Sequence, residues 1–395
     1  MRIGMILDKN FPPDPRVENE AVSLVNSGHD VFLFCLKYDE KESDFEVING
    51  IQVSRFTSNL LEYKLSALAY TVPFYTNRMA KKIELFVKQQ NVEILHIHDI
   101  RIADAVFKAN KKIGLKTVLD LHDNMPEVMK FYPHLQKFPG KYIISPTKWK
   151  KKEEEFIAKA TKIITVSPEF VSEVVQRTKI SNDKIVLVPN TIRKSFYQDA
   201  VMDTEILKRY KDSFVILYLG DTHLRRGLQT AISAIKIIAD KIENVKLVIV
   251  GTNTTDIVLK KQVQDLGVED LVDFEGWQNV ALFPSYIKAS SVCISPLHRS
   301  MQHDVAYANK IFQYMSFSKP LLVSNATAQK TLVNRVGAGL VHKDRDVDDF
   351  VEKTLELYKN EALRTKMGQK GKAFIDNEFN WDQACKGLID LYNTI

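Results

Sequence analysis

The chain has 395 residues, 45% of them apolar and 26% charged, which suits a globular protein with two to three domains and sizeable cores and excludes a disordered chain. Its three cysteines, Cys35, Cys293 and Cys385, lie far apart in no paired spacing, arguing against a disulfide framework or zinc site and for a reducing compartment. Net charge is a moderate +6; no apolar run approaches a membrane span, and the first, at 3–7, is too short for a signal segment, so a cytoplasmic location is expected.

In chain order, short β-branched runs at 3–7, 31–36, 94–97, 117–121, 163–166 and 185–188 read as strands. Helical patterns fall between them, at 17–26 and 77–89. In the latter Met79, Ile83, Phe86 and Val87 share one face, and Arg78, Lys81, Lys82 and Lys88 the other. A polar stretch at 193–212 breaks the pattern. A second series follows: strands at 214–219, 246–250, 272–274, 292–295 and 321–323, with a helix through Leu228, Ile232, Ile235 and Ile238. Such alternation predicts an α/β fold of two doubly wound Rossmann-like domains, 1–195 and 213–378, joined by a linker at 196–212. Ligands of such sheets bind at the carboxyl ends of the strands, so the two domains are expected to face across a cleft. A last helix is expected within 379–395, with Ala384, Leu388 and Leu391 on one face.

Lys137, Lys141, Lys148, Lys150, Lys151 and Lys152 are interleaved with Phe138, Tyr142 and Trp149. Two readings stand: a solvated loop, or contact with an anionic membrane face, which the aromatic stretch from Tyr63 to Tyr75 also suggests. No recognition module accompanies the charge, so nucleic acid is not an expected partner.

Several stretches can carry chemistry. Pro15 forces an extended entry and Arg16 starts a helix at a βα turn, as a surface residue or a cation facing the cleft. In Leu95-His96-Ile97-His98-Asp99 the two histidines share a face, but only His98 reaches the strand's carboxyl edge. Asp120-Leu121-His122-Asp123-Asn124 closes the next strand; its spacing would suit a metal, but without a third ligand nearby none is expected. Ser167-Pro168-Glu169 is a structural helix start. In 303–324, Asn309 is expected to cap a helix over 310–317, and Lys310 lies in its first turn with no carboxylate there. This is either an ordinary capped helix or a cradle for a diphosphate.

The motifs favour the cradle. Asn309 to Ser324, NKIFQYMSFSKPLLVS, resembles the segment that grips donor diphosphate and ribose in retaining, family 4-like glycosyltransferases of the GT-B fold. Other motifs come in that family's order: Pro12-Pro13-Asp14-Pro15-Arg16-Val17, Gly28-His29-Asp30-Val31, the His98 strand end, Asp120 to Asp123, Val188-Pro189-Asn190, Tyr218-Leu219-Gly220 and Arg225-Arg226-Gly227-Leu228. The resemblance implies that the last helix completes the first, acceptor domain and that the second binds the donor. It implies catalytic roles for His98 at the sugar and for Arg226 and Lys310 at the leaving diphosphate. Gly220, Arg225, Gly251, Trp277, Asp304, Asn309, Ile311 and Gln313 would complete the donor site. Asp14, Arg16, His122, Asp123 and Glu127 would stand on the acceptor side. Trp277 would stack on the base or pack in the core. The departures are Gln313 and Val305 where the family has a glutamate pair, Asp221 where a cation is common, and Thr191 in place of glycine. The implied activity is metal-independent, retaining, hexosyl-type transfer from a nucleotide-sugar to a saccharide or lipid-linked acceptor, with no cofactor, in cell-surface polysaccharide or glycoconjugate synthesis. The alternatives are a sugar-nucleotide epimerase of the same fold and a non-catalytic partner of an active transferase.

Overall fold

The computed structural model describes residues 1–132, 135, 137–138 and 140–395. The chain divides into two compact units, 1–190 with 384–395, and 191–383. The first unit holds β1 (Arg2–Ile6), β2 (Asp30–Lys37), β3 (Phe45–Ile48), β4 (Ile51–Thr57), β5 (Ile94–His98), β6 (Lys116–Leu121), β7 (Lys162–Thr165) and β8 (Ile185–Leu187). They form one sheet in the order β3-β4-β2-β1-β5-β6-β7-β8, parallel throughout except that β3 runs antiparallel to β4. Sequence order reverses between β1 and β5, and that is where a doubly wound sheet opens a crevice at its carboxyl edge. The β3–β4 pair is a hairpin absent from the sequence reading; Asn49 and Gly50 both take positive φ, as a two-residue turn between twisted strands requires.

The second unit has β9 (Phe214–Leu219), β10 (Val245–Val250), β11 (Val272–Gly276), β12 (Val292–Ser295), β13 (Leu321–Ser324) and β14 (Gly339–His342), in the order β11-β10-β9-β12-β13-β14. All its pairings are parallel and its reversal lies between β9 and β12. Both faces of this sheet are covered, which is why its strands read as unbroken apolar runs. Phe214, Ile216 and Tyr218 of β9 pack with the helix Leu228–Ala239. Val215, Leu217 and Leu219 pack on the other side with Ile311, Phe312 and Met315. Each such side chain, fully buried, contributes roughly 1.5–3 kcal/mol.

The stretch expected as a linker is ordered: Ser195–Gln198 and Thr204–Arg209 are helical, and Ile206 and Tyr210 are buried in the second unit's core. The last helix, Trp381–Thr394, changes unit along its length, since residues from 384 onward belong to the first. The basic segment is not a loop throughout: Lys148, Lys150, Lys151 and Lys152 lie in the helix Pro146–Lys159, capped by Ser145, and Trp149 is buried edge-on against Tyr70. Tyr70 and Tyr75 are likewise core residues rather than parts of an aromatic surface. Ser167 does cap its helix, accepting from the Phe170 amide at 3.0 Å. Among the described residues, no helix is long and apolar enough to cross a membrane.

Candidate active site

In the second unit Gly220, Gly251, Arg226 and Lys310 come together at the carboxyl end of β9, beside the β9–β12 reversal. β9 ends at Gly220, whose φ of +108° suits only glycine, and a Cβ there would lie 3.5 Å from Lys310 Nζ. β10 ends at Gly251, whose φ is +136° and whose Cβ would fall 2.0 Å from the Gly220 carbonyl oxygen. Gly251→Ala is therefore expected to force the two strand ends apart, costing about 2–4 kcal/mol in urea unfolding and weakening any ligand at this edge.

Lys310 occupies the second position of the helix Asn309–Ser316. Its Nζ is buried, has no hydrogen-bond partner, and sits 3.4 Å over the Tyr218 ring. Burial, with Arg226 adding repulsion, pushes its pKa well below the usual lysine range. Asn309 is not the cap it was expected to be. It is already helical, and Ala308, with no side chain to offer, holds the cap position. The amide of Ile311 is used on the Ala308 carbonyl at 3.0 Å and its side chain is core, so Ile311 offers a donor nothing directly. The amides of Asn309 and Lys310 precede the first intrahelical bond and remain suited to an anion.

Arg226 is tethered. Its Nε donates to Asp221 Oδ2 at 3.0 Å, while Asp221 Oδ1 accepts from Asn253 Nδ2 at 2.7 Å. Asp221 thus links the loops after β9 and β10. It engages one edge of the guanidinium and leaves Nη1 and Nη2 for another partner. The backbone of Arg225 accepts from the His298 amide at 3.1 Å, fastening the loop after β9 to that after β12. His303, missed in the sequence, is buried beside these cations, and desolvation lowers its pKa to about 4. Asp304 is too committed to replace a missing glutamate: it pairs with Arg299 at 3.0 Å and accepts the Thr327 amide at 2.7 Å, serving the start of the helix Thr327–Val336. Gln313 is half-buried in the Asn309–Ser316 helix. Trp277 is 74% exposed just after β11, which excludes the core role and leaves a free ring face.

In the first unit two of the expected acceptor-side residues, Arg16 and His122, join a buried network around Asp120, the penultimate residue of β6. Arg16 clamps this carboxylate with two bonds, Nε at 2.9 Å and Nη2 at 2.7 Å. It also pairs with Glu20 at 2.9 Å and donates to Asn190 Oδ1 at 2.7 Å. Arg16 is therefore not a cation open to ligand; its fork is spent inside the unit. Asp14 caps the helix Pro15–Asn26, accepting from Val17, so its carboxylate has a structural duty. Glu20 is the residue the sequence reading passed over, though it stands four positions after Arg16 on one helix face, the spacing of an ion pair.

His98 is wholly buried, 3.4 Å from Asp120 and stacked on His96 with ring centroids 4.4 Å apart. The His98 ring, expected to contact a sugar, thus presents no exposed edge in this structure. The partly exposed imidazole of the network is His122, 3.3 Å from Asp120. Burial opposes its charge, but the bond to Asp120 prevails and lifts its pKa to about 9. Glu127 pairs with Lys130 at 2.6 Å on the short helix Met125–Met129, and Asp123 is half-buried beside it in sequence. Glu20, His96, His98 and Asp120 present ligand atoms within 4.8 Å of one another, a grouping that could hold a metal. The Arg16 guanidinium already supplies the positive charge to both carboxylates, and a second cation there would be repelled by it. His96 has a consistent neutral role instead. Tyr392 OH lies 2.8 Å from its Nδ1, Nε2 lies 3.5 Å from Glu20, and burial pushes its pKa well below the usual histidine range.

Two doubly wound α/β units define the GT-B class. The sucrose-phosphate synthase of Thermosynechococcus elongatus has this architecture, with a TM-score of 0.80 at 16% identity, covering 99% of this chain and 98% of that one. So does HepE of Anabaena in complex with UDP, at 0.75 and 13%, over the whole of both chains. The family model for "Glycosyltransferase Family 4" matches residues 16–196, and that for "Glycosyl transferases group 1" matches 202–374. The chain belongs to the group 1, family 4-like glycosyltransferases. Among curated relatives, the capsular polysaccharide biosynthesis glycosyltransferase CapM of Staphylococcus aureus is 24% identical over 60% of this chain and 62% of its own length. The GDP-mannose-dependent phosphatidylinositol monomannoside mannosyltransferase of Mycobacterium tuberculosis is 26% identical over 52% of this chain. The chain thus spans 62% and 54% of the length of these two relatives.

Proposed function

We propose that the protein transfers a hexosyl group from a nucleotide-diphosphate-sugar to a hydroxyl of a saccharide or lipid-linked acceptor, with retention, in polysaccharide or glycoconjugate synthesis. The observation that carries this is Lys310, an amine buried without a partner beside Gly220 and the uncapped start of a helix. Burying such a group costs free energy unless an anion completes it, and a diphosphate at the helix start does so. Lys310, the free edge of Arg226 and the first amides would then meet the charge growing on the leaving diphosphate, an electrostatic role that needs neither metal nor cofactor. The exposed Trp277 ring would stack on the base. His122 would be the acceptor-side cation. A nucleotide-sugar donor and a lipid-linked acceptor suit work in the cytoplasm at the inner face of a membrane.

The test is thermal unfolding with UDP, GDP, ADP, CDP and dTDP and their sugars. UDP comes first because HepE was crystallised with UDP and UDP-glucose, and GDP second because the mycobacterial relative is GDP-mannose-dependent. A ligand at a hundred times its dissociation constant adds about 2.7 kcal/mol of stability. The stereochemistry of the product, read by NMR, then tests retention, and full activity in EDTA tests metal independence. Conversion of the sugar without acceptor would indicate an epimerase instead.

A second reading, a non-catalytic partner subunit, is favoured by Asp221, which holds the cation that the leaving group would need. The two readings part at Asp221→Asn. For a transferase the freed guanidinium should tighten UDP binding roughly three- to tenfold by calorimetry. Unchanged, absent binding in both proteins would support the partner subunit.

A further inference from the structure

We infer that one face of the first unit is a docking surface for an anionic lipid bilayer. It is built from two stretches far apart in sequence, 60–82 and the described residues of 137–152 (137–138 and 140–152). Thr71 Oγ1 donates to the Ile143 carbonyl at 3.1 Å, and Tyr70 packs edge-on against Trp149, so the stretches lie side by side. From this shared base apolar side chains stand into solvent: Leu60 and Leu61 on the helix Leu60–Ser66, Phe74 at the start of Phe74–Gln90, and Phe138 and Tyr142 at 85% and 78% exposure. Such side chains would pack inside a unit if burial were available to them; here Tyr70 and Trp149 take the interior positions and the others are left outside.

Charge selects the occupant. The two stretches hold ten Lys and Arg against one carboxylate, Glu62, and Glu62 is buried and already paired with Arg78 and Lys82. Lys64, Lys81, Lys137, Lys141 and Lys148 are exposed around the apolar side chains. A shallow recess of about 480 Å³, lined by Phe74, Asn77, Arg78, Lys81 and Lys82, is large enough for a phosphate headgroup. Aromatic rings and leucines over a field of lysines match a bilayer interface, where rings sit at headgroup depth and each basic residue adds attraction to anionic lipid. An apolar protein partner would not need the uniform positive sign, and nucleic acid would not need the leucines. The surface belongs to the first unit and the donor site to the second, and they share no residue, so lipid binding and nucleotide binding can fail independently.

The test is co-sedimentation of the full chain with vesicles of phosphatidylcholine containing about 30% phosphatidylglycerol, against phosphatidylcholine alone, in about 0.1 M salt. The anionic vesicles should bind at least about tenfold more protein. Leu61→Glu/Phe138→Glu/Tyr142→Glu should lose that binding with its unfolding temperature and nucleotide-induced shift unchanged, since all three side chains are exposed. Lys137→Gln/Lys141→Gln/Lys148→Gln should lose the preference for anionic lipid. No binding by the unmodified protein, equal binding to both vesicles, or undiminished binding by the glutamate variant would each overturn the proposal. Retention on an acidic protein or on RNA without vesicle binding would do the same.

Discussion

Lys310→Met is expected to raise the unfolding temperature and abolish turnover together. In the free protein the ammonium is buried without a partner, over an aromatic ring and near Arg226. Its folded pKa lies below its unfolded one, so at neutral pH the unfolded chain binds the proton more readily and the group destabilises the fold; that penalty vanishes only above the ordinary lysine value of 10.5. A methionine of similar length removes the penalty, by about 1–3 kcal/mol in chemical denaturation. The same change removes a cation from the leaving diphosphate and should cut kcat by at least about a hundredfold. A variant that is less stable, or one that turns over normally, would remove Lys310 from the site. A companion result follows in the unmodified protein. A bound diphosphate favours the charged amine, so at a pH above the lowered pKa binding should take up a proton, seen as a calorimetric heat that varies with buffer ionisation enthalpy, and donor affinity should fall as pH rises through that pKa.

The second large effect is expected at Asp120→Ala. One carboxylate receives both bonds of Arg16 and faces the imidazoles of His98 and His122, and removing it leaves a buried guanidinium with Glu20 as its one remaining carboxylate partner, beside the neutral acceptors Asn190 and Val188. Breaking a buried pair in this way costs about 3–5 kcal/mol, measurable as a lower urea midpoint. Asp120→Asn keeps the shape and tests the charge. His122 is raised to about 9 from 6.5, so its stabilising contribution is complete below pH 6.5 and is lost as pH rises toward 9. In Asp120→Asn that fall in stability between pH 6.5 and 9, up to about 3 kcal/mol, should disappear. If it persists, the pH dependence belongs to Glu20, which burial raises to about 8.

The fold was legible where burial on both faces writes unbroken apolar runs, as in β9 and β10, and where strands and helices alternate. The β3–β4 hairpin was not, because β3 is exposed and carries no apolar run; only Asn49-Gly50 marked the turn. Gly220 and Gly251 were legible as special positions because each directly follows an apolar strand run. What sequence could not show was which charges were already taken. Arg16 and Asp304 are the residue types a ligand site needs, yet each is consumed by a partner that only tertiary structure brings near, Asp120 for the one and the Thr327 amide for the other, while Asp14 is taken locally as a helix cap. Lys310 differs from them only in having no such neighbour, and that is a property of three dimensions.

The helix Trp381–Thr394 bears on how the chain is made. Tyr392, with its hydroxyl on His96, and Leu388 and Leu391 are buried parts of the first unit, yet a ribosome produces them only after the whole of the second. At synthesis rates of about 5–20 residues per second, residues 1–190 wait roughly 10–40 seconds for residues 384–395. Through that interval the Glu20–His96 layer is open on one side. The earlier-born half is the later to mature, and nascent chains should need chaperone cover there.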